Sequence, residues 1–209
     1  MFEDITKIDM EIMTLYSRDY SSSYSIRQIT QLLKINYSNT FKRIKKLIDD
    51  KILSATKSGQ ANNISLNIFN LDTIKLISFV DVMVSKKLKN TNINQIVKEA
   101  IEIDPLSCIG IFGSQVSGKA KKDSDWDIFI ISQKDKRREL EKIRSKFPHI
   151  KNIEIQVISI EEFQESLLSK EETVVKHIVK NKQILYNPYP FYNLIHSWEA
   201  IKYAPNQRS

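Results

Sequence analysis

Apolar residues recur at helical spacing through the first fifty positions, interrupted by short polar breaks. Ile5, Ile8, Ile12, Met13 and Tyr16 share one face of a helix predicted over 5–19. The run Ser21-Ser22-Ser23 ends it, and Ser25 can cap a second helix, SIRQITQLLK, with Ile26, Ile29, Leu32 and Leu33 on its inner face. After the polar turn INYSN, the segment TFKRIKKLIDDK predicts a third helix with a buried stripe of Phe41, Ile44, Leu47 and Ile48. The period then shortens, giving two strands near 52–55 and 64–69 around a loop tipped by Lys57 and Gly59. Residues 71–88 form a long apolar helix suited to packing between two halves or against a second subunit. Beyond a break at 90–94, INQIVKEAIEI predicts a shorter helix. Strands follow at 108–112, 127–131, 153–159 and 183–186, alternating with helices at 134–147, 160–169 and 171–181. A tail from 188 holds a short final helix.

This order predicts an α+β chain in four parts: 1–70, a connecting or dimerising helix over 71–91, a mixed-sheet domain over 92–187 and the tail at 188–209. The first part, two helices, a turn, a third helix and a hairpin, resembles a winged helix-turn-helix domain. In that fold the third helix enters the DNA major groove, which implies double-stranded DNA as a partner. Lys42, Arg43, Lys45 and Lys46 lie outside its apolar stripe, and Tyr37, Ser38, Asn39 and Thr40 precede them. Ser38, Asn39, Thr40, Lys42, Arg43, Lys46 and the loop residue Lys57 are the expected contacts with bases and phosphates. A solvated charged face, or a protein-docking use of the same fold, is the competing reading.

Composition narrows the setting. The net charge of +7 suits an anionic partner, although Lys- and Asn-rich usage alone can produce it. No run of about eighteen apolar residues suggests a membrane span, and the N-terminus lacks a signal pattern, so a cytoplasmic location is expected. One cysteine, Cys108, excludes an internal disulfide and reads as a small buried hydrophobe. His149, His177 and His196 have no metal-ligand spacing, and Tyr192 and Trp198 read as packing residues.

The chemistry concentrates in IGIFGSQVSGKAKKDSDWDIFII, residues 109–131, which holds three of the four glycines. A strand ends at Phe112, and Gly113-Ser114 turn the chain into a helix start, where backbone N–H groups and the Ser114 hydroxyl can meet a phosphate. The P-loop pattern fails, because Gly118-Lys119 is followed by Ala120. Asp125 and Asp127 then point to one face of the next strand, with Trp126, Ile128 and Ile130 on the other. Two adjacent carboxylates favour a shared cation, and Mg²⁺ takes such oxygens together with water and phosphate.

The combination of Gly113, Ser114, Gly118, Ser124, Asp125 and Asp127 resembles the nucleotidyltransferase fold of the DNA polymerase beta superfamily, most of all its minimal members, over roughly 92–186. The resemblance implies that Asp125 and Asp127 hold two Mg²⁺ ions, that Gly113, Ser114, Gly118 and Ser124 hold a nucleoside triphosphate with ATP the first expectation, and that a hydroxyl attacks the α-phosphorus as pyrophosphate leaves. It also implies a third carboxylate on a later strand. Glu154 is the candidate where relatives most often carry aspartate, and Gln156 is the other candidate for the equivalent position. A second departure is Gln115-Val116-Ser117, where relatives often carry Arg or Ala; Lys119, Lys121 and Lys122 can supply that charge. The implied acceptor is a protein side chain or a small molecule, and minimal relatives include antitoxins that modify a toxin encoded beside them. The alternative is a DNA-binding regulator whose second domain senses nucleotide or is catalytically weak; a homodimer is a further expected partner, since winged helices commonly pair on palindromic sites.

Overall fold

The chain divides into two compact units, Met1–Val80 and Asp81–Ser209, and a computed structural model describes residues 4–58, 61–121 and 123–203. Gly59 and Lys122, both singled out above, lie outside the described residues.

The N-terminal unit runs α1 (Lys7–Arg18), β1 (Ser23–Ser25), α2 (Ile26–Leu33), α3 (Tyr37–Asp49), β2 (Leu53–Ser58) and β3 (Ala61–Leu66). Its sheet has the order β1-β3-β2, antiparallel throughout. Ser23, expected within a break, instead opens β1, because the free edge of β3 offers it a partner at Ser65. Helix starts follow their caps. Thr6 and Ser25 form capping boxes with Asp9 and Gln28, and the Asn36 side chain accepts from the Asn39 N–H. That last cap sets the start of α3 at Tyr37, and the helix buries Thr40, Ile44 and Leu47. Phe41, expected inside, is 45% exposed, and Leu32 on α2 is 56% exposed. Thr40 can go inward because its hydroxyl donates to the Asn36 carbonyl at 2.8 Å. It is thereby removed from the set able to meet DNA.

Arg43 is corrected in the same way. Its guanidinium grips both oxygens of the fully buried Asp9, with Nε to Oδ1 at 2.8 Å, and also donates to the Asp4 carbonyl at 2.9 Å. Asp9 is the same carboxylate that accepts the Thr6 N–H at 2.7 Å and the Thr6 hydroxyl at 2.8 Å. A charge so placed holds α3 to the start of α1 and is not available to phosphate. Lys46 is shared between Asp4 at 3.7 Å and Asp50 at 3.5 Å, pairs of the exposed kind that contribute little. The Tyr16 hydroxyl donates to the Ile64 carbonyl at 2.9 Å and ties α1 to the sheet.

Helix α4 (Leu71–Ser85) crosses the boundary between the units. The C-terminal unit continues with α5 (Thr91–Ile103), β4 (Cys108–Phe112), α6 (Ser114–Ser117), β5 (Trp126–Ser132), α7 (Arg137–Glu141), α8 (Ile143–Lys146), β6 (Ile153–Ser159), α9 (Ile160–Leu168), α10 (Val174–Lys180), β7 (Lys182–Tyr186) and α11 (Tyr189–Tyr203). The sheet order is β6-β5-β4-β7, with β5 and β6 parallel and the other pairs antiparallel. It is a mixed sheet flanked by helices. The helix expected over 134–147 is broken at Lys142, whose N–H turns back to the Glu139 carbonyl; Leu140 and Ile143 on either side of the break both stay buried.

Alternation along the strands divides the sheet into two faces. Ile109, Ile111, Ile128, Ile130, Ile153 and Val157 pack with Ile93, Ile96 and Ala100 of α5 and with Leu140 and Ile143; Trp126 and Ile155 lie partly buried against them. The opposite face carries Phe129 of β5, whose ring meets Phe191, which in turn meets Phe163 of α9. Phe191 belongs to α11, and so do the buried Tyr192, Leu194 and Ile195. The tail is therefore not a short appendage but the cover of the second face. The Tyr192 hydroxyl donates to Asp81 Oδ2 at 2.7 Å, and burial beside that carboxylate pushes the phenol well above its ordinary range. Cys108 is buried, with its thiol pushed up by desolvation, an inert packing residue.

Breaking a buried charge pair from one side leaves the other charge uncompensated. Arg43→Ala is expected to destabilise the N-terminal unit by about 3 kcal/mol, while Lys42→Ala changes it by less than about 0.5 kcal/mol. Hydrogen exchange across residues 4–58 measures both; equal protection in the two variants contradicts the structural assignment of Arg43.

Candidate functional site

The covered face of the C-terminal sheet opens at one end. Along β5 the apolar residues Ile131 and Phe129 are buried, and the next residue on that face, Asp127, is only partly covered. Asp127 stands in register with Phe112 of β4 on one side and with Glu154 of β6 on the other. Side chains paired in register share a face, and neighbouring strands lie roughly 4.8 Å apart, so Asp127 and Glu154 are side by side. Gln156 falls opposite Phe129, one pleat further into the sheet. Its Nε2 donates to Glu154 Oε1 at 2.6 Å. Of the two candidates on this strand, Glu154 is the one beside Asp127 and Gln156 is its hydrogen-bond donor.

Gly113 follows β4 with φ at +76°, a left-handed conformation that favours glycine. The sequence pattern assigns it to phosphate approach. The structure adds a more immediate requirement, because a Cβ at 113 would lie 2.0 Å from Asp127 Oδ2 and 3.0 Å from its Cγ. The carboxylate occupies the place of the missing side chain. The turn is held from outside by Asn181, whose amide donates to the Gly113 carbonyl at 3.0 Å. Nothing in the sequence marks Asn181, because it lies 68 positions away and the turn into β7 brings it there. Gly110, by contrast, clears the Phe129 ring and the Gln183 carbonyl, a packing role.

The helix after Gly113 is shorter than the sequence suggests. α6 is one turn, ended by Gly118 at φ +73°, so it adds little macrodipole. A Cβ at Gly118 would meet nothing within 4 Å; that glycine serves the backbone bend. Ser114 is partly exposed at the first position of the turn, and its hydroxyl has no hydrogen bond among the described residues. Ser124 is committed to its own loop, its Oγ accepting from the Lys121 N–H at 2.7 Å. The Ser124 carbonyl accepts from the Gln115 amide at 3.1 Å. Gln115, a departure from the superfamily pattern, thus anchors the loop that delivers Asp125. On the far side Asn152, itself at φ +60°, accepts the Trp126 N–H at 2.9 Å through its carbonyl. Asp125 is exposed just before β5.

Two neighbouring carboxylates act on Asp127. Asp127 is held above its ordinary range first by burial, then by Glu154 and then by Asp125. A cation would offset that repulsion, and the donors are all hard oxygens, the kind that Mg²⁺ takes. Among the described residues no group of three His, Cys, Asp or Glu side chains is gathered closely enough to hold a metal unaided.

Residues 92–188 match the family described as Polymerase beta, Nucleotidyltransferase. This agrees with the resemblance read from Gly113 to Asp127 and spans just under half of the chain. No curated protein and no solved structure matches significantly. The matched segment takes in nearly all of α5 and all four strands of the mixed sheet. No helix among the described residues is long and apolar enough to cross a membrane.

In the N-terminal unit Ser38, Asn39, Lys42 and Lys57 are exposed, whereas Thr40, Arg43 and Lys46 are engaged as described.

A carboxyl whose pKa is raised by folding binds its proton more tightly in the folded chain, so stability falls as pH rises through the carboxylate range. Asp127→Asn is accordingly expected to raise the melting temperature of the metal-free protein at neutral pH. The gain should vanish in acid, where Asp127 is protonated in both states. A thermal melt series across pH measures this, and a gain that persists unchanged in acid contradicts it.

Proposed function

We propose that the C-terminal unit transfers a nucleoside monophosphate from a nucleoside triphosphate to a hydroxyl of a protein or small-molecule acceptor, with Mg²⁺. The observation that carries this reading is the register pair Asp127 and Glu154 beside the Gly113 turn, within a segment that matches the nucleotidyltransferase family. Asp125, Asp127 and Glu154 would hold the metal, two ions by analogy with the superfamily. Bound there, Mg²⁺ supplies positive charge against the attacking and leaving oxygens and lowers the barrier to in-line displacement.

The protein's own groups do the rest. Backbone N–H groups from Ser114 onward lack intrahelical acceptors until Ser117, which bonds to Gly113, and with the Ser114 hydroxyl they meet the triphosphate. Glu154 Oε1 accepts the Gln156 amide, which orients the carboxylate that would share the metal with Asp127 and help to activate the acceptor. Asn181 and Gln115 hold the two ends of the turn and loop between which the nucleotide sits. ATP is the first triphosphate to test.

For the N-terminal unit the proposal is a winged helix-turn-helix that binds duplex DNA. Its support is the order helix, short strand, two helices and hairpin, with the first strand on the edge of the hairpin. Lys42 and Lys45 on α3 and Lys57 on β2 supply phosphate contacts, and Ser38 and Asn39 face outward near the start of α3. Glu154, standing where relatives most often carry aspartate, also favours a second reading, in which the C-terminal unit binds nucleotide without turning it over and the chain acts as a DNA-binding regulator.

With each α-labelled triphosphate, Mg²⁺ and a cell lysate, the protein is expected to label an acceptor, and Asp125→Asn with Asp127→Asn to abolish labelling. Nucleotide binding measured by calorimetry without any labelled product selects the regulator reading; unchanged Mg²⁺-ATP affinity in the double variant removes the site assignment. Replacing Lys42, Lys45 and Lys57 with alanine should weaken duplex binding and lower its salt slope by roughly 0.9 for each phosphate that is no longer neutralised. Parent-like binding at all salt concentrations excludes α3 as the contact surface.

A further inference from the structure

The third helix of the N-terminal unit keeps an aromatic pair on its surface. Tyr37 and Phe41, one turn apart on α3, stack with ring centroids 6.3 Å apart and planes at 24°, and they are 54% and 45% exposed. The inner face of the helix is already filled by Thr40, Ile44 and Leu47. Residues three and four apart share a helix face, so Ser38, Phe41, Lys42 and Lys45 form one outward stripe headed by Tyr37. Arg43 and Lys46 of this helix are ion-paired, whereas Lys42 and Lys45 make no ion pair among the described residues. The helix carries no carboxylate before Asp49, its last residue.

Two aromatic rings beside uncompensated positive charge select among occupants. A second copy seated on the same patch would set lysines against lysines across a two-fold axis, which is unfavourable. A DNA duplex instead offers phosphates to the lysines, and the one apolar group in its major groove is the thymine C5 methyl. Residues at the start of a recognition helix are those that reach base edges, and Tyr37 is the first residue of α3. We propose that Tyr37 and Phe41 read thymine methyl groups in the major groove, with Lys42 and Lys45 on the flanking phosphates. This assignment rests on the reading of the N-terminal unit as a DNA-binding module. It gives the unit a preference between pyrimidines, which phosphate contacts cannot supply.

The test uses the full chain in EDTA, so that metal-dependent chemistry is silent. Bound duplexes are selected from a random-sequence pool, and the selected site is remade with deoxyuridine in place of each thymidine in turn, which deletes the methyl alone. The parent is expected to lose about fourfold in affinity for each contacted methyl, the scale set by burial of one carbon group. Phe41→Ala and Tyr37→Ala should bind thymidine and deoxyuridine duplexes alike at their respective positions while keeping the parent's salt slope. Equal affinity of the parent for both duplexes overturns the assignment. A Phe41→Ala variant that splits a dimer in sedimentation yet keeps the discrimination also overturns it and makes the patch a subunit contact. Failure to bind any duplex removes the DNA-binding reading as well, so the two failures are distinguishable.

Discussion

The candidate site depends on one steric exchange. Asp127 places its carboxylate where residue 113 has no side chain, and the chain leaves β4 there with φ at +76°. Either requirement alone selects glycine; together they fix the turn and the acid as a single unit. From that unit the rest follows. Register sets Glu154 beside Asp127, Gln156 holds Glu154, Asn181 holds the turn, and Gln115 holds the loop that ends at Asp125. The nucleotidyltransferase match covers these strands and the loop between them.

The site is built at a cost to the folded protein. Burial raises Asp127 first, and Glu154 and then Asp125 lie near enough to add to the same effect. Such tension is common where a site awaits a charged ligand, since binding recovers what folding gave up. Support from neutral amides suits this arrangement. Gln115, Gln156 and Asn181 hold the loop before Asp125, the Glu154 carboxylate and the Gly113 turn without adding positive charge beside the acids.

Much of this was legible in the sequence because buried strands announce themselves. Strands 108–112 and 153–159 have the bounds read from their apolar runs, and the alternation from Trp126 to Ile130 assigned both faces of β5. The glycines and paired aspartates lie where the sequence pattern put them, between β4 and β5, and Gly118 makes the bend that ends α6. What escaped was set by contacts distant in sequence. Asn181 and the cover by Phe191 depend on how β7 and α11 return to the sheet, which no local pattern encodes. On α3 a single residue of phase decided the outcome. Packing put Thr40 inside and Phe41 outside, and the Arg43 charge went to Asp9, a partner 34 positions earlier.

That last pair also bears on how the N-terminal unit forms. Asp9 closes the first turn of its own helix and simultaneously receives Arg43 from the third. The carboxylate can be fully desolvated only once both partners are present, since a buried acid with half its donors is penalised. The local start signal and the long-range closure therefore share one set of atoms. Such an arrangement discourages a half-built intermediate in which α1 is complete and α3 is still undocked, and it favours acquisition of the three helices in one concerted event.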